Sequence, residues 1–286
     1  MTGPRGGGFG ARIRRTVSAA AGRLAGRDTP IRRAVSPIYT RVLSALSGGR
    51  GVDADINGES FRIDPRHRVF VQPDYEADVA RYLRESMRPG QCTLDIGAHI
   101  GIYALQIARW TAPGGRVIAF EPNPQTADIL RRHLAMNGLE SSVRVEQAAL
   151  GRAPGASAFF GTAGSGTSRL GAPNPDAPES GLSEITVPLQ TVDAYCVTHA
   201  VSPDWMLVDV EGYEFDVLSG ARDTIARRQS ALSIVAEIHP ALWEMSGASR
   251  ARAEALLASL GRTPRGLTGQ RDPLAEYGVV VLEPSA

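Results

Sequence analysis

The sequence predicts an α/β protein built on a parallel sheet with helices on both faces. Three observations carry that expectation. From Thr93 onward, short apolar runs alternate with segments of helical spacing. Glycine, proline and asparagine turns punctuate the switches between them, as at Pro113-Gly114-Gly115 and Asn137-Gly138. Several apolar runs also end in a polar cluster, and open parallel sheets bind ligands beyond the carboxyl ends of their strands.

The elements follow in order. Residues 52–56 and 60–63 flank Asn57-Gly58 and read as a β-hairpin beside the core. Residues 75–87 carry Val79, Tyr82, Leu83 and Met87 on one helical face and stop at Pro89-Gly90. The run from Thr93 breaks into a glycine loop, and 102–110 has the spacing of a helix. A strand over 116–120 leads to a helix over 125–136, closed by Asn137-Gly138. Strands follow at 143–150 and 156–160. Residues 161–181 are mostly Gly, Ser, Thr, Ala and Pro, so they read as a long loop and a candidate lid. Residues 185–189 are extended and a short helix starts at Val192. The rest alternates: strand 205–210, helix 213–228, strand 231–238, helix 250–260, strand 277–282.

A chain of 286 residues, 43% of them apolar, can bury a large core. Charge divides it. Residues 1–50 hold ten arginines and one acid, Asp28, whereas the remainder is net acidic. The expected organisation is a basic, partly disordered or amphipathic arm over 1–50, a hairpin and helix over 51–90, and the main domain over 91–286. Such an arm suits peripheral contact with a membrane. Nucleic acid is disfavoured as a partner, because a phosphate track wants the opposite sign to that of the body. No apolar run reaches the roughly 20 residues of a bilayer span, and no secretory signal opens the chain, so cytoplasm is the expected location. Cys92 and Cys196 lack metal-ligand spacing and read as buried thiols. His67, His133 and His199 carry no motif and read as surface residues, and Trp205 and Trp243 as packing.

Four polar clusters fall at strand ends: Asp95 to Gly101, Glu121 to Asn123, Asp209 to Glu211 and Glu237 to His239. A dinucleotide loop needs Gly-x-Gly-x-x-Gly, with the pyrophosphate almost against the second glycine. His99 stands there, and the chain has no lysine for a Tyr-x-x-x-Lys pair, so an NAD-dependent reductase is the weaker alternative. What remains is Asp95-x-Gly97-x-x-x-Gly101 with Glu121 one strand later. A carboxylate accepts without donating, so Glu121 suits both hydroxyls of a ribose, and Asp95 suits a cationic group. A ribose, a positive charge and no phosphate describe S-adenosyl-L-methionine.

With Asp209-Val210-Glu211-Gly212-Tyr213-Glu214 and Val235-Ala236-Glu237-Ile238-His239-Pro240 added, the sequence resembles the FkbM family of S-adenosylmethionine-dependent methyltransferases over about residues 75–240. Leu94 to Gly101 is similar to that family's cofactor loop, with His99 where asparagine is usual. Phe120-Glu121-Pro122-Asn123-Pro124 is similar to its ribose-binding strand end. Leu207 stands where a lysine commonly precedes the Asp-Val-Glu-Gly cluster. The resemblance implies a Rossmann-like class I methyltransferase fold with a mostly parallel seven-stranded sheet. It also implies O-methylation of a hydroxyl on a sugar, glycan or secondary metabolite. The cofactor set is then Asp95, Gly97, His99, Gly101, Glu121 and Asn123. A methyl on a sulfonium is already activated, so the protein has to align an oxygen and remove its proton. Asp209, Glu211 and His239 are the candidate bases, and Asp209 and Glu211 are spaced to share a divalent cation. The other class of reading is a methyltransferase-like domain that binds ligand without turnover, recruited by its basic arm.

Overall fold

The computed structural model describes residues 48–177 and 181–285, so nearly all of the basic arm lies outside the described residues. Strands β1 (Val52–Ile56) and β2 (Glu59–Ile63) form an antiparallel hairpin around Asn57-Gly58. It is a separate two-stranded sheet, and its inward residues Ala54, Ile56, Phe61 and Ile63 share a core cluster with Val79 and Leu83 of helix α1 (Ala77–Ser86). Strand β3 (Cys92–Ile96), helix α2 (Ile102–Trp110), β4 (Arg116–Phe120), helix α3 (Pro124–Asn137) and β5 (Val143–Glu146) follow as alternating units. Strands β6 (Ala149–Leu150), β7 (Gly155–Gly161), β8 (Arg169–Leu170) and β9 (Ser183–Gln190) come next, then helix α4 (Val192–Thr198). The chain closes with β10 (Trp205–Val208), α5 (Glu214–Ser219), α6 (Arg222–Arg228), β11 (Ser233–Ile238), α7 (Trp243–Ser246), α8 (Arg250–Ser259), β12 (Arg262–Gly266) and β13 (Gly278–Pro284).

The main sheet has seven strands in the order β12-β13-β11-β10-β3-β4-β5. Five neighbours run parallel and β13 runs antiparallel to both of its partners. Alternation along the strands sends residues to two buried faces. Leu94, Ile96, Ile118, Phe120, Met206 and Val208 share one core cluster, and Val117, Ala119, Leu207 and Val235 share the other. Strands covered on both faces read as continuous apolar runs, and each fully buried Leu or Ile contributes about 1.5–3 kcal/mol. The strand order reverses between β3 and β10, which opens a crevice at their carboxyl ends. That is where the polar clusters converge.

Five readings of the sequence need correction. Residues 143–150 are two strands, and β6 leaves the main sheet to pair with β9 in a second, four-stranded sheet ordered β6-β9-β7-β8. Residues 161–181 are not all loop, because Arg169 and Leu170 pair with Phe160 and Phe159. The helix expected over 213–228 is two, broken where Gly220 lies so close to the Gly151 carbonyl that no Cβ fits. Strand β12 was hidden by its Arg-Thr-Pro-Arg-Gly sequence, in which proline sits on a sheet edge, where its missing N–H costs nothing. His133 is also not a surface residue. It is fully buried, with Nε2 accepting from Asp64 N at 3.1 Å and Nδ1 2.8 Å from the Ile100 carbonyl oxygen. Cys92 and Cys196 are buried free thiols. Among the described residues no helix is long and apolar enough to cross a membrane.

Candidate active site

A cavity of about 350 Å3 opens at the crevice, walled by the ends of β3, β4, β10 and β11 and roofed by residues from the four-stranded sheet. The turn after β3 is the first wall. Gly97 N and Ala98 N both donate to the Phe120 carbonyl oxygen at 3.0 Å, which ties the turn to β4. Gly97 has φ +89°, and a Cβ there would overlap the Asp209 carbonyl oxygen. Only glycine satisfies both constraints. Gly97→Ala is therefore expected to lose at least 1–3 kcal/mol from backbone strain alone. Denaturant unfolding checks this, and an unchanged midpoint would contradict the packing described.

Glu121 is 6% exposed, and both of its oxygens are engaged: Oε2 accepts from His99 N at 3.0 Å and Oε1 from Asn123 N at 2.8 Å. Each oxygen keeps a further lone pair for a ligand hydroxyl. Burial pushes the Glu121 carboxyl up to about 7. Asp95 is 4% exposed, its Oδ2 has no hydrogen-bond partner, and burial raises it to about 7 as well. A buried carboxylate oxygen without a donor is costly in isolation, and a cationic ligand group would satisfy it.

Of the other members of the predicted cofactor set, His99 lines the cavity, and all three also do structural work. Asn123 Oδ1 accepts from Gln125 N and Thr126 N and caps α3. Gly101, at φ +90°, starts α2 against Leu130. The His99 ring turns to the roof, with Nε2 donating to the Gly164 carbonyl at 2.8 Å and its edge against Phe70. Gly164 N in turn donates to Thr126 Oγ1 at 3.0 Å.

Across the cavity, Glu211 and Gly212 take successive left-handed conformations, φ +51° and +93°. A glutamate there is strained by about 1–3 kcal/mol, a pattern that clusters at working sites. The bend aims Asp209 and Glu211 at the cavity. Asp209 is 54% exposed, toward the cleft. Desolvation by the cleft walls, then Glu237 and Glu211, raise its pKa well above the carboxylate range. Burial brings Glu211 to about 7, and its Oε2 accepts from Asn174 Nδ2 at 2.9 Å.

His239 stands just behind these two acids. Its Nε2 lies 3.7 Å from Glu211 Oε2 and 4.0 Å from Asp209 Oδ1, and its Nδ1 lies 2.8 Å from Glu214 Oε1. Burial lowers the imidazole pKa, but the hydrogen bond and charge of Glu214 outweigh it and the net shift is upward. The structure thus brings together Asp95, Gly97 and Glu121 on one wall and Asp209, Glu211 and His239 on the other.

Two contributors escaped the sequence reading. Glu214 is fully buried in the first turn of α5, two residues after a glycine, and nothing in its spacing marked it as the partner of His239. Arg169 is 1% exposed and donates through Nε to the Glu211 carbonyl at 3.2 Å. The small polar residues before it concealed a strand.

A mostly parallel α/β sheet with a glycine turn, a strand-end acid and a second acid cluster across the switch point is the class I methyltransferase type of fold. The chain belongs to the FkbM methyltransferase family, whose domain model matches residues 95–262. It is 28% identical to methyltransferase sdnD of Sordaria araneosa over 196 residues, which cover 59% of this chain and 72% of that one. A shorter stretch of 58 residues is 40% identical to a protein-L-isoaspartate O-methyltransferase of Methanopyrus kandleri, covering 20% of this chain and 26% of the relative. Among solved structures, methyltransferase FkbM of Methylobacillus flagellatus aligns with a TM-score of 0.44 at 14% identity, over 86% of this chain. This chain spans 59% of that one.

Proposed function

We propose that this protein is an S-adenosylmethionine-dependent O-methyltransferase acting on a hydroxyl of a sugar, glycan or secondary metabolite. One observation carries the reading. The orphaned oxygen of Asp95 and the doubly anchored carboxylate of Glu121 line the same cavity as Asp209 and Glu211. The first pair fits a cationic group and a ribose diol, and the second fits a neutral hydroxyl that has to lose a proton.

Asp95 would face the cationic end of the cofactor, Glu121 its ribose, and Gly97 lets the main chain lie against it. Bound there, the cofactor supplies a methyl group already activated on sulfur. The protein's remaining task is the acceptor. Asp209 and Glu211 face the place of the hydroxyl, and the upward shift of both, to about 7 for Glu211, makes them its proton acceptors. His239 reaches the cavity through these two acids.

Incubation of the purified chain with donor labelled on the methyl group and an extract of the producing cell tests this. The expected result is a labelled methyl ether that forms only with active protein. Label appearing on nitrogen or carbon, or none above the heat-killed control, overturns it.

A further inference from the structure

Asp209, Glu211 and His239 each bring one potential ligand atom to within 4.8 Å of the others. His239 Nε2 stands 3.7 Å from Glu211 Oε2 and 4.0 Å from Asp209 Oδ1, gaps too wide for hydrogen bonds. With bonds of about 2.1–2.4 Å, neighbouring ligands of a six-coordinate ion lie about 3 Å apart and opposite ones up to about 4.8 Å. The observed gaps fall inside that range.

The imidazole is prepared for such an ion. Glu214 Oε1 accepts from Gly212 N at 2.8 Å and lies 2.8 Å from His239 Nδ1. Because that oxygen accepts, the ring proton sits on Nδ1, and the lone pair of Nε2 in the neutral ring points at the two carboxylates. The His239 side chain is 9% exposed, and Nε2 has no hydrogen-bond partner among the described residues. A carboxylate behind a buried histidine, with the other nitrogen left free, is how metal-binding imidazoles are oriented. Asn174 orients Glu211 in the same way, donating to Oε2. The charge balance agrees. Glu76, Glu211, Glu214 and Glu237 surround Asp209, and among the described residues lining the cavity the guanidinium of Arg169 is the one positive side chain set against these five acids.

We infer that Asp209, Glu211 and His239 bind one divalent first-row cation through two oxygens and one nitrogen, with Glu214 as the residue that positions the imidazole. Mixed nitrogen and oxygen ligation suits Mn2+ and its neighbours rather than Ca2+. Open coordination positions face the cavity, where Asp209 and Glu211 line the wall. An acceptor hydroxyl bound at one of them is held in place and made more acidic, and with the ion present the two carboxylates serve as its ligands while the proton leaves to water in the cleft. That use rests on the methyl-transfer reading, whereas the cation site does not.

The test is an Mn2+ titration of the full chain after stripping with EDTA and without cofactor, followed by the electron paramagnetic resonance signal of free Mn2+. The wild type is expected to take up one Mn2+ per chain with saturation. Asp209→Asn keeps the fold, because its side chain is half exposed and makes no hydrogen bond, and it should weaken uptake at least about tenfold. His239→Gln and Glu214→Gln, with circular dichroism as the check on folding, should each weaken it about 10–100-fold. Absence of saturable uptake by the wild type overturns the site, as does wild-type affinity in both Asp209→Asn and His239→Gln. Glu121→Gln lies on the other wall and should bind Mn2+ as the wild type does. A wild-type chain that takes up Mn2+ but no S-adenosylmethionine supports the cation site and overturns the methyl-transfer reading.

Discussion

Glu121→Ala is expected to raise the dissociation constant for S-adenosylmethionine about a hundredfold or more in isothermal titration. Two hydroxyl hydrogen bonds to a carboxylate are each worth about 1.5–3 kcal/mol, and every 1.4 kcal/mol is tenfold in affinity. The change also strands His99 N and Asn123 N, which now donate to Glu121. Their loss loosens the turn that the ligand rests on. The pH dependence has a definite sign. Burial holds the Glu121 carboxyl at about 7, so below that pH a proton occupies an oxygen that the ribose needs. Affinity should therefore fall as pH drops from 8 to 6, by no more than tenfold per unit for this one group. Wild-type affinity in the alanine variant would remove Glu121 from the binding site.

Asp209→Asn is expected to lower kcat about 10²–10⁴-fold while the cofactor dissociation constant stays within about twofold, the scale of a lost proton acceptor. The substitution is isosteric, the side chain is half exposed, and its backbone N–H bond to Ile96 O at 2.9 Å does not depend on the carboxylate. Single-turnover measurements separate the two quantities. Equal losses in cofactor binding and turnover would instead make Asp209 part of the donor wall.

The fold was legible where one principle acts alone. Parallel strands buried on both faces announce themselves as apolar runs, so β3, β4, β10 and β11 stood out, and Asn57-Gly58 gave the hairpin. Arg262 to Gly266 did not, because an edge strand tolerates proline and charge that an inner strand excludes. Arg169 and Leu170 form a strand of two residues, too short for any alternation to show. The site divides in the same way. Asp95, Gly97 and Glu121 follow from what a glycine turn and a strand-end acid can bind. Asn123, expected at the cofactor, uses its side-chain oxygen to cap the N-terminus of α3, a role the sequence also allowed because asparagine is among the best helix caps. Glu214 was invisible as a partner because its contact with His239 spans 25 residues and two elements.

The hydrogen bond from the His99 ring to Gly164 joins the donor turn to the roof that covers the acceptor. Thr126 holds Gly164 from the other side, so the two halves of the cavity share one fixed point. Order gained in one half is then order the other no longer has to acquire. If ligands in the two halves order this shared contact, their binding is linked, and linkage is reciprocal: whatever factor the first ligand adds to the affinity of the second, the second returns to the first.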